Sequence, residues 1–312
     1  MSTHVVVSGA AGFIGSHVCR KLSAEGLNVT ALLHETATIP SVKNIRTNLL
    51  DAASVEKAIE NCDVFIHLAG SIDINASLEA PRQRIEHNTS ILMNVLETFR
   101  KKEMKPLIIF ASTDRLYGTY SGTVTEKKRP VPIEPYTAAK IMCETLLETY
   151  QRLYDIPYII LRLDSVYGPG QPRSMFISDV IQKMISSDTI TVGALTIRKN
   201  FIYVEDVADA FLCAMRAPQK VQNAVYNIGG RSIALKQIAQ TVKNLLEHRL
   251  GKTITIVSSH ADTRPARIEV SPFRLSTAKA NKFLSWKPRT SLKDGLEKTI
   301  THFLTHNEKD KK

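Results

Sequence analysis

A run of strand-forming residues, Val5-Val6-Val7-Ser8, leads straight into glycines at 9, 12 and 15 and then into a helix from about Phe13. A strand that turns at once into a helix must lay that helix back across itself. The next strand then lies parallel to the first. The first half of the chain repeats this pattern, with apolar strands at Asn28 to Leu33, Val64 to Leu68, Leu107 to Ala111 and Tyr158 to Leu163. Helical segments fall between them near Ser54 to Glu60, near Pro81 to Lys102, and after Pro132 and Pro135, where a helix start is expected. The fold class predicted is α/β, a doubly wound parallel sheet with helices on both faces.

Beyond Tyr167-Gly168-Pro169-Gly170 the alternation loosens into helices near Met175 to Ser186, Val204 to Arg216, Leu235 to His248 and Leu292 to Phe303, with short strands between. A chain of 312 residues accommodates a large sheet domain over 1–165 and a smaller mixed α/β region over 166–305. Some of that second stretch is expected to return to the first domain. Residues 306–312 form a polar tail.

The net charge of +11 raises nucleic acid, an anionic membrane or a phosphorylated small molecule as partners. The basic residues are scattered. Only Lys101-Lys102, Lys127-Lys128-Arg129 and the tail cluster, and none is interleaved with aromatics as a single-strand binding face would be. This points away from nucleic acid and toward attraction for a diphosphate. No apolar run is long enough to span a bilayer, and the start of the chain shows no signal peptide, so a cytoplasmic protein is expected. Cys19, Cys62, Cys143 and Cys213 are widely spaced and form no C-x-x-C, which reads as reduced, buried thiols and no metal site.

Glycines between a buried strand and a helix let the backbone approach a pyrophosphate, and the helix start offers its free N–H groups to that anion. Gly9, Gly12 and Gly15, with Phe13 and Ile14 opening the helix, are the candidate dinucleotide contacts, and the sheet is of Rossmann type. Their spacing is G-x-x-G-x-x-G. The ribose end is open. Leu33 stands where an acidic residue would favour NAD; Glu35 curling back would still do so. His34, with Lys43 or Arg46, would instead meet a 2′-phosphate and favour NADP, and the balance tips slightly to NADP.

Tyr136 and Lys140 lie four apart on a helix, so a phenol and an ammonium share one face. A cation beside a phenol favours the phenolate and makes it a usable acid or base near neutrality. Ser112 and Thr113 end the strand before them, at the carboxyl edge where ligands bind in parallel sheets.

Together these residues resemble the extended short-chain dehydrogenase/reductase family, the NAD-dependent epimerases and dehydratases that act mainly on nucleotide-linked sugars. The resemblance covers nearly the whole chain. It extends to His67-Leu68-Ala69-Gly70, Asn88, Tyr167-Gly168-Pro169-Gly170, the stretch Asn200 to Val207 and Tyr226-Asn227-Ile228-Gly229. It implies Tyr136 as general acid/base at the sugar oxygen, Lys140 lowering its pKa and holding the nicotinamide ribose, and Thr113 hydrogen-bonding the same sugar oxygen. It places Asn48 and Leu49, followed by Asp51, on the adenine side, and Leu68 and Ala69 against the cofactor. His67 reads as a core histidine and Asn88 as architectural. Ser112, Asp114, Ser165, Lys199 and Arg264 are the candidate substrate contacts, with Arg198 competing with Lys199.

One departure narrows the chemistry. Sugar 4,6-dehydratases of the family carry Thr-Asp-Glu where this chain has Thr113-Asp114-Arg115. Without the glutamate, elimination of water is disfavoured, and Asp114 is left as a proton donor, a substrate contact or a solvated loop residue. The expected activity is an NAD(P)-dependent oxidoreduction at C4 of a nucleotide-diphosphate sugar, most readily a 4-ketoreductase, with a 4-epimerase holding NAD tightly as the alternative. A non-catalytic dinucleotide sensor is a third reading. A homodimer is expected from the resemblance.

Overall fold

The computed structural model describes residues 3–34, 37–72, 74–193, 195, 197–258 and 273–307. The first strands and helices follow the alternation of the sequence: β1 (His4–Ser8), α1 (Phe13–Ala24), β2 (Asn28–Leu33), β3 (Lys43–Arg46), α2 (Ala52–Ala58), β4 (Val64–His67), α3 (Ile74–Glu79), α4 (Pro81–Lys101) and β5 (Leu107–Thr113). A 3₁₀ turn over Asp114–Tyr117 leads to β6 (Gly122–Val124), α5 (Pro135–Tyr154), β7 (Tyr158–Leu163) and β8 (Ser165–Tyr167). The remainder is α6 (Phe176–Ser186), β9 (Thr189–Val192), β10 (Arg198–Tyr203), α7 (Val204–Met215), β11 (Ala224–Ile228), β12 (Arg231–Ala234), α8 (Leu235–Leu250), β13 (Thr255–Ser258), β14 (Phe273–Leu275), α9 (Ala278–Leu284) and α10 (Leu292–Asn307).

Seven strands form one sheet in the order β11-β7-β5-β4-β1-β2-β3, and every pair in it is parallel. The order reverses between β1 and β4, which opens a crevice at their carboxyl ends. This is the Rossmann arrangement. Strand alternation splits the core into two layers. Val5, Val7, Ile66, Ile109 and Ile159 face α1 and α7 through Val18, Leu22, Val207 and Phe211. Val6, Phe65, Ile108 and Ile160 face α4 and α5 through Leu92, Leu96, Phe99 and Leu147.

The chain beyond residue 165 serves both parts of the molecule. Strand β11 joins the large sheet beside β7, α7 contributes to the layer over α1, and Trp286 is buried there with its indole N–H donating to the Asp206 carbonyl at 2.9 Å. A second core, with Ile177, Ile181, Ile238, Val242, Leu296 and Ile300, gathers α6, α8 and α10 around the three strands β12-β10-β8.

Candidate active site

Gly9 sits at φ +68, and a Cβ there would meet the Ala69 nitrogen at 2.6 Å. At Gly15 a Cβ would lie 2.1 Å from the Gly9 carbonyl oxygen. The turn after β1 is therefore closed on two sides, by the Leu68–Ala69 segment after β4 and by the first turn of α1. Helix α1 begins at Gly12 with no side-chain cap, so its leading N–H groups remain for an anion. These residues fit a dinucleotide pyrophosphate. Ile14 packs into the large-sheet core and Phe13 against the core of the second region. His17 ties the same helix down: its Nδ1 meets the Glu205 carboxylate on α7, and its Nε2 lies 2.8 Å from the Pro169 carbonyl oxygen.

At the ribose end, β2 ends at Leu33 opposite Arg46, and His34 is exposed just beyond it. Lys43 pairs with Thr30 instead. Parallel register thus leaves Arg46 at the carboxyl edge and carries Lys43 three residues toward the other end, about 10 Å away. Of the two cations expected there, only Arg46 is near. Glu35 lies outside the described residues. Asn48 shapes a turn, its Oδ1 accepting from the Leu50 amide at 3.1 Å, the Leu49 carbonyl accepts from Asn94 at 2.9 Å, and Asp51 caps α2 by accepting from the Ala53 amide at 3.0 Å.

Thr113 ends β5 and Tyr136 opens α5, and the Thr113 hydroxyl is near enough to favour the charged form of the Tyr136 phenol. Helix α5 can start there because Pro135 fits its first turn and Glu134 with Thr137 closes a capping box. Burial pushes the Tyr136 hydroxyl above its ordinary pKa. The charge opposing this most strongly is Arg115, followed by the nearby Thr113 hydroxyl. The expectation that Lys140 is the cation that lowers Tyr136 is thus modified. The Lys140 ammonium donates to the Ala111 carbonyl at 2.7 Å and stands 4.6 Å over the Phe110 ring, and burial draws its pKa down. Asn88 holds the adjoining loop, accepting from the Ser71 amide at 2.8 Å, which suits the architectural reading. His67 is stacked between Phe65 and Phe110. Burial, aided by the Lys140 charge, pulls its pKa down to about 3, so it is a neutral core histidine.

Ser112, expected at the substrate, is a correction. Its hydroxyl donates to Glu144 at 2.5 Å, and Glu144 in turn accepts from Arg162 Nε at 3.0 Å and Nη2 at 2.6 Å. Arg162 Nη1 continues to the Tyr117 hydroxyl at 2.9 Å, which reaches Asn227 at 2.8 Å. Ser112 therefore anchors a buried network joining β5, α5, β7 and β11 and lies beneath the site. Asp114 is not the solvated loop residue that was one of its readings. It is 8% exposed and follows a strand end, Thr113, that pairs in register with Leu163, the residue before Asp164. Arg115 is held by Glu134 through Nε at 3.2 Å and Nη2 at 3.0 Å.

Asp164, Glu134, His17 and Glu144 are absent from the sequence-level candidates. The carboxyl-edge rule pointed at Asp164, the residue after β7, but only the pairing of Thr113 with Leu163 shows it to be a neighbour of Asp114. Ser165 is exposed and opposite Phe201 on β10, which puts it on the same small sheet as Lys199, two residues earlier. Arg198 is exposed and donates to the Ser232 carbonyl at 2.7 Å. Arg264 lies outside the described residues. Among the described residues there is no cluster of metal-ligating side chains, and no helix is long and apolar enough to cross a membrane.

The model of the NAD-dependent epimerase/dehydratase family matches residues 5–229, from the glycine turn through the catalytic edge to β11. The chain belongs to this family. The uncharacterized UDP-glucose epimerase YtcB of Bacillus subtilis is 30% identical over 96% of this chain and 97% of its own length. The UDP-glucose 4-epimerase of Thermotoga maritima, solved with UDP-glucose, superposes with a TM-score of 0.87 at 27% identity, covering 97% of this chain and 99% of that one. The UDP-glucuronic acid 4-epimerase of Bacillus cereus, solved with UDP-glucuronic acid and NAD, gives 0.84 at 26% identity, covering 97% and 99%. For a member of the epimerase/dehydratase family the position of Arg115 matters. Where a second carboxylate would serve elimination, this chain sets a guanidinium that is held by Glu134 and favours the charged form of the Tyr136 phenol.

Proposed function

We propose that the chain is a nucleotide-sugar 4-epimerase that uses NAD. The observation that carries this is the placement of Thr113 at the carboxyl edge of β5 and Tyr136 at the start of α5, two strands from the glycine turn, with Lys140 one helical turn along. The bound nicotinamide would supply hydride acceptance from sugar C4 and its return. Tyr136 takes the proton from the 4-hydroxyl as that carbon is oxidised and gives it back on reduction. Thr113 orients the oxygen while charge develops on it. Lys140 lies beside Gly70, whose Cβ position is 3.9 Å from Nζ, where it would hold the nicotinamide ribose. Gly9, Gly12 and Gly15 would hold the pyrophosphate, and Ser165 and Lys199 are the contacts for the sugar nucleotide's diphosphate. The named relatives, UDP-glucose and UDP-glucuronate 4-epimerases, support epimerisation over net reduction.

The 4-ketoreductase reading with NADP keeps one observation in its favour: β2 ends without an acid and with Arg46 alongside. One experiment separates the two. The purified protein is given UDP-, GDP-, CDP- and dTDP-sugars with each cofactor and followed by mass spectrometry, chromatography of the sugars and nicotinamide absorbance. An epimerase equilibrates two sugars of equal mass with no net absorbance change, whereas a ketoreductase consumes NADPH in step with a keto-sugar. Tyr136→Phe is expected to lower turnover roughly 10²- to 10⁴-fold, and undiminished turnover would remove Tyr136 from the mechanism.

A further inference from the structure

Thr113 and Tyr136, the two side chains that meet the sugar oxygen in the C4 reading above, sit on separate pieces of chain. Thr113 ends β5 and Tyr136 lies in the first turn of α5, with the 3₁₀ turn and β6 between them. An ion pair joins the two pieces. Arg115, the second residue of the 3₁₀ turn, donates to the Glu134 carboxylate through Nε at 3.2 Å and Nη2 at 3.0 Å, and Glu134 is the N-cap of α5. Each partner also touches the element that carries a sugar contact. The Arg115 amide donates to the Thr113 hydroxyl at 3.2 Å, and the Glu134 side chain accepts from the Thr137 amide in the capping box. The Glu134 side chain is fully buried whereas that of Arg115 is 23% exposed, so the acid depends on this partner. A two-point, charge-assisted contact fixes direction as well as distance.

We infer that Arg115 and Glu134 are positioning residues for the reaction at C4: their ion pair locks the turn after β5 to the start of α5 and so sets the spacing of Thr113 and Tyr136 at the sugar oxygen. This rests on the C4 reading and adds to it the residues that hold its two sugar contacts in register. A misplacement of about 1 Å between reacting groups costs roughly 100-fold in rate. The Val131 amide also donates to the Leu116 carbonyl at 2.7 Å, so the turn stays attached to the loop before α5 when the ion pair is weakened. What the ion pair adds is the direction in which the turn faces the helix. Weakening it therefore acts on the chemical step more than on the fold or on ligand affinity.

The test is steady-state kinetics of the full-length, NAD-loaded protein with UDP-glucose, or with whichever of the UDP-, GDP-, CDP- and dTDP-sugars the wild type converts, in Glu134→Gln, Arg115→Lys and the double variant. Position 115 stays cationic throughout, and glutamine keeps a carbonyl for the cap. Glu134→Gln is expected to lower kcat about 10- to 100-fold while KM and NAD affinity stay within about threefold. Arg115→Lys, which keeps the charge but not the fork, is expected to lower kcat about 3- to 10-fold. The double variant should fall no more than about twofold below Glu134→Gln, because both changes break one contact. Undiminished kcat in folded Glu134→Gln, a raised KM with kcat intact, or losses that multiply in the double variant each overturn the positioning role and leave C4 chemistry standing. If Glu134→Gln does not fold, Arg115→Lys decides: unchanged kcat there overturns the role. Failure of the wild type to convert any of these sugars overturns the proposed function and this role with it.

Discussion

The two sides of the central crevice are built from different materials. On the β1–β4 side recognition is left to the backbone: Gly9 and Gly15 have no room for a Cβ, and α1 starts without a side-chain cap. On the β5–β7 side buried ionisable side chains crowd together, with Lys140, Glu144, Arg162, Asp114 and Asp164 all below one-tenth exposed. The first design suits a ligand whose pyrophosphate is always the same. The second holds side chains rigid around a sugar whose stereochemistry must be read and changed, and each buried charge there needs a partner. Mutations on the two sides should therefore fail in different ways.

The largest expected effect is at Glu144. Glu144→Ala leaves Arg162 charged and buried and strips Ser112 of its partner, which is expected to lower stability by about 3–5 kcal/mol in urea unfolding. A loss below about 1 kcal/mol would mean this side tolerates charge as a surface does, and the contrast would fall. Next comes the backbone side. Gly15→Ala drives a methyl into the Gly9 carbonyl, with an expected cost of about 1–3 kcal/mol and weakened NAD binding by calorimetry. Gly193→Ala, with nothing within 4 Å of the new Cβ, should stay within about 0.5 kcal/mol.

A pH dependence confined to the β5–β7 side is also expected. Burial pushes Asp114 up to about 6 from an ordinary 3.8, and burial with the Asp114 charge raises Asp164 further. The folded state therefore binds more protons than the unfolded one. Stability from this pair is present at low pH and falls as pH rises from about 4 through 6 and above. Asp164→Asn should flatten that slope and raise the urea midpoint at pH 8. An unchanged slope would remove the pair as its source.

Much of the backbone side was legible in advance. Strands β1, β2 and β7 run over the residues their apolar patterns indicated, and β4 and β5 differ only at their ends. The short, polar β3 (Lys43–Arg46) was not, because its burial pattern has no apolar run and its place at the sheet edge demands none. Strand β11 was read only as a family motif, since joining the large sheet depends on contacts between residues far apart in sequence. The charged side was legible in its residue types but not in its connections. Spacing singles out Thr113 and Tyr136, which the structure sets at the end of β5 and the start of α5, whereas Ser112, expected at the substrate, is engaged by Glu144.

By itself the sequence determined the parallel α/β architecture, the glycine turn and the side chains available for proton transfer. These are local properties: strand periodicity, the steric demands of a turn, and helical spacing all act over a few residues. Only the tertiary structure decided which charges face one another. The parallel pairing of β5 with β7 brings Asp164 beside Asp114 and Arg162 beside Ser112, and α5 brings Glu144 to Arg162 and Glu134 to Arg115. Electrostatic energy depends on distance through space and on burial, and neither is written in the order of residues along the chain.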